Sequence, residues 1–199
     1  MHNSIGNPNQ SPVRITATTA VRDFLLAVVP WPATKADGFI TIHWHRPGMD
    51  FLGRSCRTID EALQIITQLN GFDVYFCLSR QRDGRGKRSH ANATGMQAIW
   101  TDADVDPDNP KCYASHEEAI NAILDFCRQQ QIPEPSLIVD SGGGLHVYWL
   151  SDRILSVDEW QPFADALMNA IRHAGLKIKD HRRYRRCRPG FAGARHAQL

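Results

Sequence analysis

Apolar and polar residues follow one another along the chain with two periods, and these periods predict the order of its elements. Apolar residues three and four positions apart share one face of a helix, and this spacing predicts helices over residues 18–29, 58–71, 115–131 and 157–174. Alternation, or a short apolar run, predicts strands over residues 39–45, 73–79, 96–102, 136–140 and 145–150. Residues 176–179 are a further candidate strand after the last helix.

Residues at the ends of these segments refine the prediction. Thr58 and Glu61 have the spacing of a capping box, and Ser115 is a suitable N-cap for the third helix. Pro162 is tolerable only near the first turn of a helix, so the start of the fourth helix stays open. The buried face of that helix is predicted to contain Trp160, Phe163, Ala164, Leu167 and Ile171. Because strands and helices interleave irregularly, the predicted class is α/β or α+β, with a mixed or antiparallel sheet and flanking helices.

Composition limits the class of protein. The 199 residues are 42% hydrophobic, which is enough for a packed core. No apolar run approaches the roughly 20 residues of a membrane span, so we expect a cytoplasmic protein with no membrane partner. The five scattered cysteines are typical of reduced thiols in a cytoplasm, and Cys77 and Cys127 lie in apolar patterns that predict packing roles.

The positive charge is concentrated in two runs, although the formal net charge is only +2. One run covers residues 80–88 and the other covers residues 177–195. Basic runs can bind phosphates, and they are also common in solvated loops. In the first run, Arg80, Arg82, Lys87 and Arg88 are candidates for contact with the phosphates of a nucleotide or template.

Asp102 and Asp104 stand at the end of a predicted strand and are the first candidate for chemistry. Residues at positions i and i+2 of a strand share one face, so these carboxylates are expected side by side. Adjacent carboxylates repel one another unless a cation lies between them, and Mg²⁺ or Mn²⁺ prefers such oxygen ligands. Taken alone, the pair also fits a solvated turn, because Asp106 and Asp108 continue into a predicted loop.

The second candidate is the segment SGGGLH, residues 141–146, between two predicted strands. Glycines let backbone N–H groups approach a phosphate, and Ser141 and His146 can donate side-chain hydrogen bonds to the same anion. A glycine-rich hairpin with a structural histidine is the alternative, since no helix follows the loop as in a P-loop. The third candidate is Asp180, which is a candidate site residue only if the fold brings it beside Asp102 and Asp104; an isolated aspartate is usually a turn residue.

The order of these signals is a strand with Asp-x-Asp, a Ser-x₄-His hairpin, a helix and a last aspartate. It resembles the archaeo-eukaryotic primase superfamily, in particular primase-polymerase domains of plasmids, phages and mobile elements. The resemblance covers about residues 39–180 and implies an RRM-like catalytic core with a small N-terminal αβ module. By position, it implies Asp102, Asp104 and Asp180 as catalytic metal ligands for Mg²⁺ or Mn²⁺, and Ser141, Gly143, Gly144, His146, Arg80 and Lys87 as nucleotide-binding residues.

The resemblance also implies a mechanism and partners. Two metal ions would activate a primer 3′-hydroxyl and neutralise the leaving pyrophosphate, in template-directed nucleotidyl transfer during replication of a mobile element. The expected partners are a DNA template and primer, nucleoside triphosphates and a helicase domain or protein. Two alternatives stay open: a non-catalytic DNA- or nucleotide-binding replication-initiation module, and a metal-dependent nuclease.

After Asp180 the chain departs from the family pattern, which continues with an arginine-bearing strand and a proline-glycine turn. One set of codons for residues 182–199 reads, shifted by one base, as a segment containing RVLRVPGT. We hypothesise that a single-base insertion near His181 replaced the native C-terminus, and other codons in the gene at these positions would refute this. The predicted organisation is a flexible arm (residues 1–15), a catalytic domain (16–180) and a disordered basic tail (181–199), with the site inactive or unstable through loss of a strand.

Overall fold

The computed structural model describes residues 13–15, 21–84, 90–178 and 191–194. Within these ranges, four α-helices pack against two β-sheets. In chain order the elements are β1 (Val13–Ile15), α1 (Val21–Val28), β2 (Ile40–His45), β3 (Leu52–Cys56), α2 (Ile59–Thr67), β4 (Asp73–Cys77), β5 (Ser79–Gln81), β6 (Ala93–Asp104), α3 (His116–Gln130), β7 (Leu137–Asp140), β8 (Gly144–Leu155), α4 (Val157–Ala174) and β9 (Phe191–Ala194). Short 3₁₀ helices lie at Lys35–Asp37 and His90–Asn92.

The five-stranded sheet has the order β1-β7-β8-β6-β5. Both β6 and β7 are antiparallel to β8, so they are parallel to each other, and α3 connects them across β8. β1 is parallel to β7, whereas β5 is antiparallel to β6. This split β-α-β arrangement, with a mixed sheet and flanking helices, confirms the predicted fold class.

The four-stranded sheet has the order β3-β2-β4-β9, and all its pairs are antiparallel. It meets the larger sheet at Leu78, where β4 leads into β5. Phe39 and Gln81 join the sheets further by exchanging two backbone hydrogen bonds of 2.8 and 2.7 Å. The chain therefore passes from one sheet into the other without a long connection.

Alternating residues of β6 belong to different cores on the two faces of the larger sheet. Ala98 belongs to a cluster with α1, α2 and the smaller sheet, and Trp100 packs against that cluster. Ala103 belongs to a cluster with α3 and Ile171 of α4. Because side chains alternate along a strand, Asp102 lies on the face of Ala98 and Trp100.

Local signals at the helix ends agree with the sequence analysis. The Thr58 hydroxyl accepts a hydrogen bond from the Glu61 amide at 3.2 Å, and the Glu61 carboxylate accepts one from the Thr58 amide, which confirms the predicted capping box. The Ser115 hydroxyl accepts from the third residue of α3, as an N-cap does. Cys77 and Cys127 are buried, as their apolar surroundings predict.

Other predictions were wrong. β3 was missed, Phe163 is 59% exposed rather than buried, and residues 176–178 form no strand. α4 has the predicted bounds, Val157–Ala174, and begins behind a Ser156 cap, but Pro162 lies inside the helix beyond its first turn, where it was not expected. β1 and β9 lie in segments for which the sequence analysis gave no strand: β1 pairs with β7, and β9 pairs with β4. Strands of three or four residues are too short to show a period in the sequence.

A membrane-spanning helix needs about 20 mostly apolar residues, and the described residues contain no helix of this kind.

Candidate active site

Two predicted site residues face each other across β6 and β8. Asp102 is the direct cross-strand partner of His146, and Asp104 is the partner of Gly144. His146 Nε2 lies 3.7 Å from Asp102 Oδ1, and the two side chains are 14% and 21% exposed. That distance is too long for a hydrogen bond, but a protonated imidazole there attracts the carboxylate. The fold therefore brings Asp102 and Asp104, which we call the acid pair, close to His146 and Gly144 at one end of β6.

Tyr113 holds the end of β6 that carries the acid pair. Its amide donates to the Asp104 carbonyl at 3.0 Å, and its carbonyl accepts from the Asp106 amide at 2.9 Å. Its hydroxyl accepts from the Lys177 amide at 3.2 Å, and burial raises the pKa of this hydroxyl. The Asp106 carboxylate accepts from the Asp108 amide, which confirms that these two aspartates belong to a loop.

The glycine motif, residues 141–144, forms the turn between β7 and β8, and its residues differ in their contacts. The Gly144 carbonyl accepts two hydrogen bonds from Ser141, at 2.9 Å from its amide and 3.0 Å from its hydroxyl. Gly142 has a φ of +83°, which favours glycine and occurs at the first central position of a type II′ hairpin turn. A Cβ on Gly144 would lie 2.3 Å from the Ala103 carbonyl oxygen, whereas a Cβ on Gly143 would meet no described atom within 4 Å. The same is true of Gly142, so the turn is open to a ligand at Gly142 and Gly143.

Asp140 contacts this turn and His116 contacts Asp140, and the sequence analysis singled out neither residue. The Asp140 carboxylate accepts from the Gly142 amide at 2.8 Å, and the same oxygen lies 3.2 Å from His116 Nε2. An aspartate before a turn commonly accepts from the amide two residues on, so the position of Asp140 was a usable signal. His116 is distant in the sequence and carries no such local signal.

The two basic candidates in the described part of the chain, Arg80 and Arg82, do not lie at the acid pair. Arg80 on β5 pairs with Gly95, seven residues before Asp102 on β6, or roughly 23 Å away at about 3.3 Å per residue. Its guanidinium lies 3.9 Å from the Asp37 carboxylate, and its Nε donates to the Thr94 hydroxyl. Arg82, two residues after Arg80, is exposed. The other two candidates, Lys87 and Arg88, lie outside the described residues.

The third predicted metal ligand, Asp180, also lies outside the described residues. The nearest described part of the chain is anchored close to the acid pair, because the Lys177 amide donates to Tyr113, the residue that holds the Asp104 carbonyl. In the described part of the chain, no group of three or more His, Cys, Asp and Glu side chains is arranged to hold a metal ion. The predicted three-carboxylate set is therefore represented by two members, Asp102 and Asp104.

One solved structure shares this architecture. The AEP domain of the primase-polymerase (PrimPol) of cyanophage S-2L aligns over 80% of this chain and 76% of its own, with a TM-score of 0.53 and 18% identity. The fold is therefore similar to that of this AEP domain. No protein-family model and no curated protein sequence matches the chain. At 18% identity the primase-polymerase likeness establishes the architecture, so the chemistry of the site has to be argued from its residues.

Proposed function

We propose that this chain catalyses template-directed nucleotidyl transfer, as a DNA primase or primase-polymerase in the replication of a mobile element. The observation that carries the proposal is the cross-strand arrangement of Asp102, Asp104 and His146 beside the glycine turn. A primase-polymerase fold is consistent with this chemistry and does not by itself prove it.

The residues present are chemically suited to divalent cations. Asp102 and Asp104 offer carboxylate oxygens from one face of β6, which Mg²⁺ and Mn²⁺ prefer as ligands, and we propose Asp180 as a third ligand. Without a cation, two carboxylates on one strand face repel each other. When bound, two such cations would activate the primer hydroxyl and neutralise the leaving pyrophosphate.

The remaining site residues would position the nucleotide. His146 lies beside Asp102, so an imidazole N–H at this position can bind a phosphate oxygen next to the proposed cation ligands. The open space around Gly143 gives a phosphate access to the backbone of the turn. Positioning and charge stabilisation account for most of the catalysis in phosphoryl transfer, so these contacts would matter as much as the cations.

Primer extension tests the proposal. The chain is mixed with a primed DNA template, nucleoside triphosphates and Mg²⁺ or Mn²⁺, and the primer is expected to lengthen. Asp102→Asn keeps the shape of the side chain but removes a charged cation ligand, so it should reduce extension by about 100-fold or more. DNA binding, measured by fluorescence anisotropy, should change by no more than about twofold. Asp106→Asn, in the loop beyond the acid pair, is the matched control and should extend like the wild type.

The same assays separate the alternatives. Cleavage of DNA without extension would favour the nuclease, and binding with neither activity would favour the non-catalytic module. A second chain, in which residues 182–199 are exchanged for the alternative-frame segment, isolates the effect of the tail. Extension by the exchanged chain alone would support both the proposed function and the frameshift hypothesis.

A further inference from the structure

The turn of the glycine motif is held by few contacts. Gly142 and Gly143 are exposed, and no described atom lies within 4 Å of the space that a Cβ on either residue would occupy. Packing therefore does not fix the conformation of the turn, so hydrogen bonds must do so. Ser141 closes the turn through the Gly144 carbonyl, and the Val105 amide donates to the Gly143 carbonyl at 3.1 Å. Asp140 is the side chain that binds the Gly142 amide, from the side of β7.

Asp140 also connects this turn to α3. The carboxylate oxygen that accepts from the Gly142 amide lies 3.2 Å from His116 Nε2, and His116 is the first residue of α3. Ser115 caps that helix by accepting from the Glu118 amide at 3.1 Å, so the position of His116 is itself fixed. The side chains of Asp140 and His116 are 25% and 29% exposed, which shields their contact partly from water.

We propose that Asp140 and His116 are positioning residues, which hold the glycine turn in the conformation that receives the phosphates of the nucleotide. This inference rests on the proposed function, because it assigns the turn a phosphate ligand. A turn that is ordered before binding saves the entropy of ordering it during binding. The Gly142 amide donates to the Asp140 carboxylate, and His116 Nε2 lies 3.2 Å from the same oxygen, so that oxygen faces these two groups.

Nucleotide binding tests the proposal in the full chain, with Mn²⁺ and either ATP or dATP as probes in isothermal titration calorimetry. Asp140→Ala should raise the Kd by about tenfold, the equivalent of one hydrogen bond that orders the site. Asp140→Asn keeps an oxygen that can accept from the Gly142 amide and should stay within about threefold of the wild type. His116→Ala should have an intermediate effect. At saturating nucleotide, the extension rate of each variant should stay within about twofold, so that the effect falls on KM rather than kcat.

Hydrogen exchange of the turn provides a readout that does not depend on nucleotide. The peptide covering residues 140–146 should exchange faster in Asp140→Ala than in the wild type, and Asp140→Asn should restore protection. Asp125→Ala removes an exposed carboxylate of α3 that pairs with Arg128, and it should change neither exchange nor Kd. Unchanged exchange and unchanged Kd in Asp140→Ala would overturn the proposal.

Other outcomes are equally decisive. Equal losses in Asp140→Ala and Asp140→Asn would assign the effect to charge rather than to the turn and would overturn the positioning role. If the wild type binds neither nucleotide, the proposed function fails and the phosphate part of this proposal fails with it. Faster exchange in Asp140→Ala would then still show that the carboxylate orders the turn, which distinguishes the two failures.

Discussion

Gly143 and Gly144 are adjacent glycines, yet one added methyl group should have opposite effects at the two positions. Gly143→Ala should leave the free energy of unfolding within about 0.5 kcal/mol of the wild type, because its Cβ would enter open space. The same methyl group would crowd an approaching phosphate and weaken nucleotide binding. Gly144→Ala should cost about 2 kcal/mol of stability, because its Cβ would lie 2.3 Å from the Ala103 carbonyl oxygen. Urea unfolding and calorimetric nucleotide titration measure the two effects.

Gly142→Ala is the control for backbone strain at the same turn. Its φ of +83° is unfavourable for alanine, so a loss of about 1 kcal/mol is expected without any clash. A stable Gly144→Ala chain would contradict the close approach of β6 and β8 at this point. A Gly143→Ala chain that binds nucleotide as tightly as the wild type would show that no phosphate approaches the turn there.

The candidate site could be predicted from the sequence only as far as its residues carry local signals. Asp102 and Asp104 are two positions apart on one strand, so their shared face follows from the strand period alone. The pairing of Asp102 with His146 does not follow, because the register of β6 and β8 is set by the whole sheet. The basic run at residues 80–88 has no hydrophobic period, so the sequence does not reveal that the Arg80 guanidinium lies 3.9 Å from the Asp37 carboxylate.

Among the elements, those with caps and long apolar periods were predicted best. The Thr58–Glu61 box depends on residues three positions apart, and α2 begins where it predicts. β3 was missed because Gly53 and exposed side chains interrupt its alternation. The folded sheet has little room for a side chain at Gly53, because a Cβ there would lie 2.4 Å from His43 Nδ1 on the neighbouring strand. Contacts of this kind appear only after the strands have paired.

The capping box at the start of α4 should make that helix sensitive to acid. The Glu159 carboxylate accepts hydrogen bonds from Arg153 and from the amide and hydroxyl of Ser156, and these lower its pKa from 4.5 to about 2. A lowered pKa stabilises the folded state fully above pH 4.5, and this stabilisation is lost as the pH falls towards 2. Glu159→Gln should therefore lower the melting temperature at pH 7, with a difference from the wild type that shrinks below pH 4.5. Thermal melts at pH 7, 5 and about 3.5 measure this trend.

Asp158→Asn is the matched control for the helix dipole. Asp158 lies in the same first turn, but its carboxylate accepts no hydrogen bond from any described residue. Its replacement should change the melting temperature less than Glu159→Gln does at pH 7. Equal effects of the two variants at every pH would mean that the dipole, rather than the capping box, stabilises the start of α4.

At the scale of the whole molecule, α1 connects the two sheets and should make them unfold together. The Phe24 ring makes edge contacts with Phe76 on β4 and with Tyr148 on β8, at centroid distances of 5.5 and 5.7 Å. One side chain therefore packs against a strand of each sheet. Tyr148 is fully buried and lies two residues from His146 on the same face of β8. The side chain that Phe24 contacts on the larger sheet is therefore close to the candidate site.

Phe24→Ala should lower the free energy of unfolding by about 2 kcal/mol, because this partly buried ring loses its contacts with Phe76 and Tyr148 and the volume it filled. Phe24→Leu refills most of that volume and should cost about 1 kcal/mol. Urea unfolding followed by tryptophan fluorescence and by far-UV circular dichroism measures both values, and the two signals should coincide in one transition. Two separate transitions in Phe24→Ala would mean that the sheets are held together by this ring alone. A single transition at a lower urea concentration would mean that the Leu78 junction and the Phe39–Gln81 hydrogen bonds still couple them, so that the acid pair on β6 is lost only when the entire chain unfolds.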